Sequence, residues 1–321
     1  MRAKLVNFSI VLWSVPFFCA SSLLSAEDSS KENETQEQTL STIEDSLIEK
    51  NKEISEKIDE SVIALDLYLA KKSYDDVENK STLKIHNNFS WEEGKGVKYS
   101  PHIGLKLHLP HFQKKWQLQL TTYDEDKSER GINKNRSDTE KTEDNFGTSF
   151  GIVEELGRIK TEFRPRLEYN NKFQSSYLLK FSSEADAGFF KVQPELQLFA
   201  RSDSGTGEYF GLNCSLELDR ENGIILINEE QYTDGDNTLS TNHGLRYSHI
   251  YSRSLEQEIT FMGEASNRDV YHIERYILKT KFLHRLYHNV LHYQLTPFLV
   301  FAKQKEFAVS PGLNFSFEII F

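Results

Sequence analysis

From about residue 80 to the C-terminus, hydrophobic residues recur at every second position. Tyr99, Pro101, Ile103, Leu105, Leu107 and Leu109 alternate with Ser100, His102, Gly104, Lys106 and His108. Ile159, Phe163, Leu167 and Tyr169 stand against Lys160, Glu162, Arg164, Arg166 and Glu168. Phe190 to Leu198, Phe210 to Leu218 and Leu313 to Phe321 repeat the pattern. A period of two marks one-sided β-strands, and about ten residues per segment is the length that crosses a bilayer at a tilt. Read end to end, the chain predicts strands near 81–91, 97–109, 116–123, 146–154, 159–169, 176–183, 189–201, 208–219, 224–232, 241–251, 255–264, 271–282, 290–301 and 310–321. That is about fourteen, within a range of roughly 12–16. The weakest are 146–154, 176–183 and 224–232; from Ile224 to Ile227 neither face wins.

The expected fold is an all-β, antiparallel transmembrane β-barrel of about fourteen strands. A secreted β-sandwich also alternates. Three features favour the barrel: every connection fits a hairpin, strand lengths match a bilayer, and aromatics (Trp91, Tyr99, Trp116, Tyr123, Tyr169, Phe321) crowd strand ends. An even strand number puts both barrel ends on one side. If that side is periplasmic, the long polar gap 124–145 falls outside the cell.

Ahead of the strands the pattern differs. Arg2 and Lys4, an apolar stretch from Leu5 to Leu24, and Ser25-Ala26 before an acidic start read as a secretory signal peptide over residues 1–26. Residues 27–80 then carry 16 Asp/Glu against 7 Lys, a net of −9, with no Gly, Pro or Cys. Leu40, Ile43, Leu47, Ile54, Ile58, Val62, Leu65 and Leu69 make one thin apolar stripe at helical spacing. This segment is expected to be acidic, mostly helical and periplasmic. A solvated helix, a coiled coil, a lumen plug and a contact with a periplasmic protein partner all fit the stripe, although Lys50 and Lys57 interrupt the heptads. The barrel itself is assigned to 81–321.

Composition adds exclusions. The net charge of −11 argues against nucleic acid as a partner. Cys19 lies in the leader, so Cys214 stands alone in the mature chain and no internal disulfide is expected. A mean hydropathy of −0.56 excludes a bundle of apolar helices but not a barrel, whose two faces average to polar.

The C-terminal strand, with Phe315, Phe317, Ile319 and a terminal Phe321, resembles the signal by which bacterial outer-membrane barrels are recognised for insertion. The stretch Phe282-Leu-His-Arg285 through Pro297, with Glu306-Phe307 and the terminal Phe, is similar to the ending of a group of uncharacterised Gram-negative outer-membrane barrel proteins. That likeness covers roughly the last 45 residues, with a fainter echo at Leu105 to Leu120, and implies location without activity. It implies contact with outer-membrane lipid and with the barrel-insertion machinery.

If apolar faces meet lipid, the other faces line a lumen. The candidate lining residues are Lys160, Glu162, Arg164, Arg166, Glu168, Glu195, Arg201, Glu256, Glu258, Arg275, Lys279 and Lys281. Both signs are present, which does not predict strong selection between cations and anions. A pairing of 255–264 with 271–282 in which positions sum to 537 sets Glu256 opposite Lys281 and Glu258 opposite Lys279. His102, His108 and His292 share the inward parity and His86 joins them on one reading, but ligands six residues apart on one strand do not converge on an ion. His249 is followed by Ile250 and Tyr251, not by the same-face serine an outer-membrane phospholipase would use. Acids and histidines near the predicted outer loops (Asp124, Asp126, Asp234, Asp236, His243) leave a protease open in principle, although loop acids are usually just solvated. Asp234-Gly-Asp236-Asn237 lacks the downstream Glu of a calcium loop. No cofactor, metal or enzymatic activity is expected. The pattern predicts a passive or weakly selective channel for small polar solutes, with a structural or assembly barrel as the alternative.

Overall fold

A computed structural model of the chain describes residues 45–46, 48–63, 81–108, 116–122, 146–170, 172–203, 205–286 and 290–321. Alternation becomes strand throughout: β1 (Thr82–Glu92), β2 (Gly96–His108), β3 (Trp116–Thr121), β4 (Phe146–Leu156), β5 (Ile159–Asn170), β6 (Lys172–Ser183), the two-residue β7 (Ala185–Asp186), β8 (Phe190–Arg201), β9 (Gly205–Glu217), β10 (Asn222–Thr233), β11 (Thr238–Ile250), β12 (Leu255–Ser266), β13 (His272–Leu286), β14 (Leu291–Ala302) and β15 (Val309–Ile320). Each long strand pairs antiparallel with its sequence neighbour, β6 pairs β8 past the short β7, and β1 pairs β15. The sheet therefore closes into a barrel of fourteen long strands. Twelve residues at ~3.3 Å each, tilted by about 40°, rise roughly 30 Å.

The three strands with the weakest sequence pattern are all present. At Ile224 to Ile227 the structure divides the run: Ile227 is fully buried on the inner face, whereas Leu226 is exposed outside.

The seam between the first and last strands is closed by the chain terminus. Phe321 N–H donates to the Leu83 carbonyl (2.8 Å) and Leu83 N–H to the Phe321 carbonyl (3.1 Å). Outside the wall lie exposed apolar residues such as Ile103, Leu167, Leu198, Phe210, Leu245, Phe261 and Leu313. Exposed aromatics gather at one end of the strands and are few at the other. Trp91, Tyr99, Tyr169, Phe173 and Tyr271 stand at the end away from the chain termini, and Phe189 and Tyr251 at the end near them. An apolar exterior with aromatics gathered at one end is that of a transmembrane β-barrel. The signal peptide, the Trp116 side chain, Tyr123 and the 124–145 gap lie outside the described residues.

The helix, α1, covers 48–63. Its exposed face carries a Glu53–Lys57 ion pair at 2.6 Å, the favourable acid-first i,i+4 order. The opposite edge places Val62 and Ile58 against Leu105, Leu107 and Leu118. Those leucines share parity with the exposed Tyr99 and Ile103, so α1 packs on the outer wall and not in the lumen. Asn51 Nδ2 donates to the Ile320 carbonyl at 2.8 Å, fixing the helix start beside the seam.

Candidate functional site: the inner face

The face opposite the apolar exterior carries all twelve charged residues named from the sequence. On β5, Arg164, Arg166 and Glu168 are buried, Glu162 is half-buried, and Lys160 is exposed at the strand's start. Charges here are joined along the wall. Glu162 takes an ion pair from Arg164 on its own strand. Glu168 lies between Arg166 (Nε to Oε2, 3.4 Å) and Arg201 of β8 (Nη2 to Oε1, 3.7 Å). Arg166 also donates from Nη1 to Thr121 Oγ1 at 2.8 Å, reaching across β4. Glu195 receives Lys180 of β6 at 2.8 Å and Gln197 Nε2 at 2.6 Å.

A second network spans β11 to β13, and here the sequence-derived register is corrected. Glu258 stands opposite Lys281, Thr260 opposite Lys279 and Glu256 opposite Leu283, so paired positions sum to 539 and not 537. Two local features add one each: the hairpin closes with Ser266 opposite His272, a sum of 538, and an irregularity between Glu264 and Ala265 leaves Glu274 as an extra residue. A shift of two keeps every side chain on its own face and changes only its partner. Glu258 accordingly bonds Lys281 at 2.7 Å and faces Arg246 at 3.7 Å. Glu256 bonds Arg285 at 2.9 Å, and Arg275 bonds Glu264 at 2.6 Å.

Sequence reasoning missed part of this face. Lys180, Arg246, Glu264 and Arg285 complete the networks and were findable by parity alone. The apolar inner residues were not, because they break the polar-inside rule. Met262, Ile277, Phe298 and Val300 form one buried cluster, and Leu178, Phe199 and Tyr209 another.

Glycines seat the large side chains flat against the wall. Gly312 is opposite Phe298, and a Cβ there would overlap the ring. Gly207 does the same for Phe199, and Gly147 for the Arg166 guanidinium.

Accessibility changes along the barrel axis. At mid-height the inner face is packed shut at the side-chain level: Ile227 is 0% exposed, Thr296 and Asn314 1%, and Thr260 2%. Toward the chain termini it opens, with side-chain exposures of 21% at Glu256, 25% at Glu318 and 32% at Arg285. Among the described residues, no group of three or more His, Cys, Asp or Glu is placed to hold a metal.

No family model and no curated protein matches this sequence. Solved structures with a similar outline are outer-membrane proteins. They include a loop L8 deletion mutant of OmpT of Vibrio cholerae (8% identity, 76% of this chain and 99% of that one, TM-score 0.47) and the outer membrane channel DcaP of Acinetobacter baumannii (7%, 76% and 97%, 0.46). A bacterial polysaccharide outer membrane secretin is similar at 13% identity over 77% and 99%, with a TM-score of 0.46.

Proposed function

We propose that this protein is a channel of the Gram-negative outer membrane, passive or weakly selective, for small polar solutes. The reading rests on one observation: a closed wall that is apolar outside carries paired charges of both signs inside. A charge facing hydrocarbon would be costly, and a soluble barrel has no use for an exposed belt of leucine and phenylalanine. Inner charges bonded laterally, and aromatics laid over glycines, hold the inner side chains in fixed places. Water enters from the terminal side and narrows to the mid-height ring, where passage is controlled. The twelve charged residues named from the sequence face the lumen in this reading. In this reading residues 27–80 lie in the periplasm, and Phe315, Phe317, Ile319 and Phe321 are what the insertion machinery reads.

Planar-bilayer recording of the purified protein tests this, with and without residues 27–80. Discrete conductance steps are expected, and no current from either form would remove the channel. A structural or assembly barrel is the second reading, favoured by the tight mid-height ring. It predicts that the full-length protein, but not a form lacking residues 27–80, retains one envelope protein on mild-detergent purification.

A further inference from the structure

One row of the inner face crosses the barrel seam and contains most of its inward imidazoles. By strand register Arg285 of β13 is opposite His292 of β14, His292 opposite Glu318 of β15, Glu318 opposite His86 of β1, and His86 opposite His102 of β2. Five successive strands thus present titratable or charged side chains at one height. The contacts follow the register. Each Glu318 oxygen faces one imidazole, His86 Nδ1 and His292 Nδ1, both at 3.8 Å. The His86 and His102 rings stack at 6.1 Å with 15° between planes. Arg285 carries the row on to Glu256 of β12. Four strand spacings make this an arc roughly 19 Å long.

The row sits on the terminal side of the mid-height ring, where His86 is 30% and His292 20% exposed at the side chain, while His102 is buried at 6%. Sequence parity puts these histidines on one face. The register makes them a group.

We propose that this arc is a proton-titrated selectivity element of the channel, turning its entrance toward anions as pH falls. The inference rests on the channel reading and adds its regulation. With neutral imidazoles the arc holds Glu256 and Glu318 against Arg285, a sum of −1. With all three histidines protonated the sum is +2. Lys84 on β1 and Lys106 on β2 are the flanking cations of the same face, and among the described residues β3 adds Gln119 and Thr121 there. These lysines hold a constant charge between pH 7.5 and pH 5.0. The swing is therefore three charges within one arc, all of the same sign. Glu318, 3.8 Å from each of the two rings, attracts both once they are imidazolium and holds them at the wall.

The test is the reversal potential across a planar bilayer in a potassium chloride gradient at pH 7.5 and pH 5.0. It uses the full-length protein and a His86→Gln/His102→Gln/His292→Gln variant. The chloride-to-potassium permeability ratio of the unmodified protein should rise about threefold on acidification, a modest factor because water and salt screen the row. The variant should conduct with a ratio that moves little. An equal rise in the variant assigns the effect to carboxylates elsewhere and overturns the arc alone. Absence of current from the unmodified protein at both pH values overturns the channel reading, and the arc with it. The heat-dependent shift of folded barrels on gels verifies that the variant folds. Should it not, His86→Gln and His292→Gln singly must each remove part of the rise, and a full rise in both sinks the proposal.

Discussion

Phe298 and Gly312 offer the sharpest test of how the interior is built. They face each other across β14 and β15, and Phe298 is 5% exposed, packed with Met262, Ile277 and Val300. A phenylalanine buries about 200 Å², which at about 25 cal/mol/Å² bounds its contribution near 5 kcal/mol. Phe298→Ala should therefore cost about 3–4 kcal/mol. Gly312→Ala puts a Cβ inside the space of the ring. The ring must leave its seat, at about 1–3 kcal/mol for overpacking. With the ring removed, the three nearest atoms are gone and the change relieves a flexible strand glycine, so it should be neutral or gain about 0.5 kcal/mol. The coupling in a double-mutant cycle is then about 1–3 kcal/mol. Urea unfolding in lipid vesicles, read by the fluorescence of Trp91 and Trp116, measures all four proteins. If Gly312→Ala costs the same with and without Phe298, the glycine is not a seat for the ring. The account of side chains laid flat along the wall then fails.

The corrected register predicts cross-linking. On a Cys214→Ser background, paired cysteines at Glu258 and Lys281 should form a disulfide readily, and a pair at Glu256 and Lys281 should not; the reverse preference would restore the sum of 537. The outer-wall position of α1 predicts a disulfide between cysteines placed at Val62 and Leu107 in membrane-inserted protein, with conductance unaltered. Cross-linking of position 62 to an inner residue such as Lys84 would instead put the helix in the lumen. In the turn after β9, Asp219 accepts backbone N–H groups of Glu221 and Asn222, each at 2.8 Å, and these bonds hold its carboxyl below the usual carboxylate range. A lowered folded value means its support is present above about pH 4 and is lost as pH falls through that lower value. Pepsin cleavage at 218–221 should rise in strong acid, and Asp219→Ala should abolish that dependence by opening the turn at every pH; an unchanged profile in the variant would show that the bonds do not matter.

The period of two was legible because it is a property of the extended backbone itself: adjacent side chains leave a strand on opposite faces whatever surrounds it. From that alone came the strand count, the apolar exterior at positions such as Leu167 and Phe315, and the inward assignment of Arg166, Glu168 and Lys281. Partners were another matter. Whether Lys281 meets Glu256 or Glu258 depends on where the hairpin turns and on one extra residue at Glu274, and the combined shift of two leaves all three side chains on the inner face. The row joining His102, His86, Glu318 and His292 depends on closure, since its members come from both ends of a chain 321 residues long. The helical stripe of Ile58 and Val62 announced an apolar edge but not its seat, because helical periodicity shows which side is greasy and not what covers it. Only the folded wall, with Leu105, Leu107 and Leu118 side by side near the seam, supplied that surface.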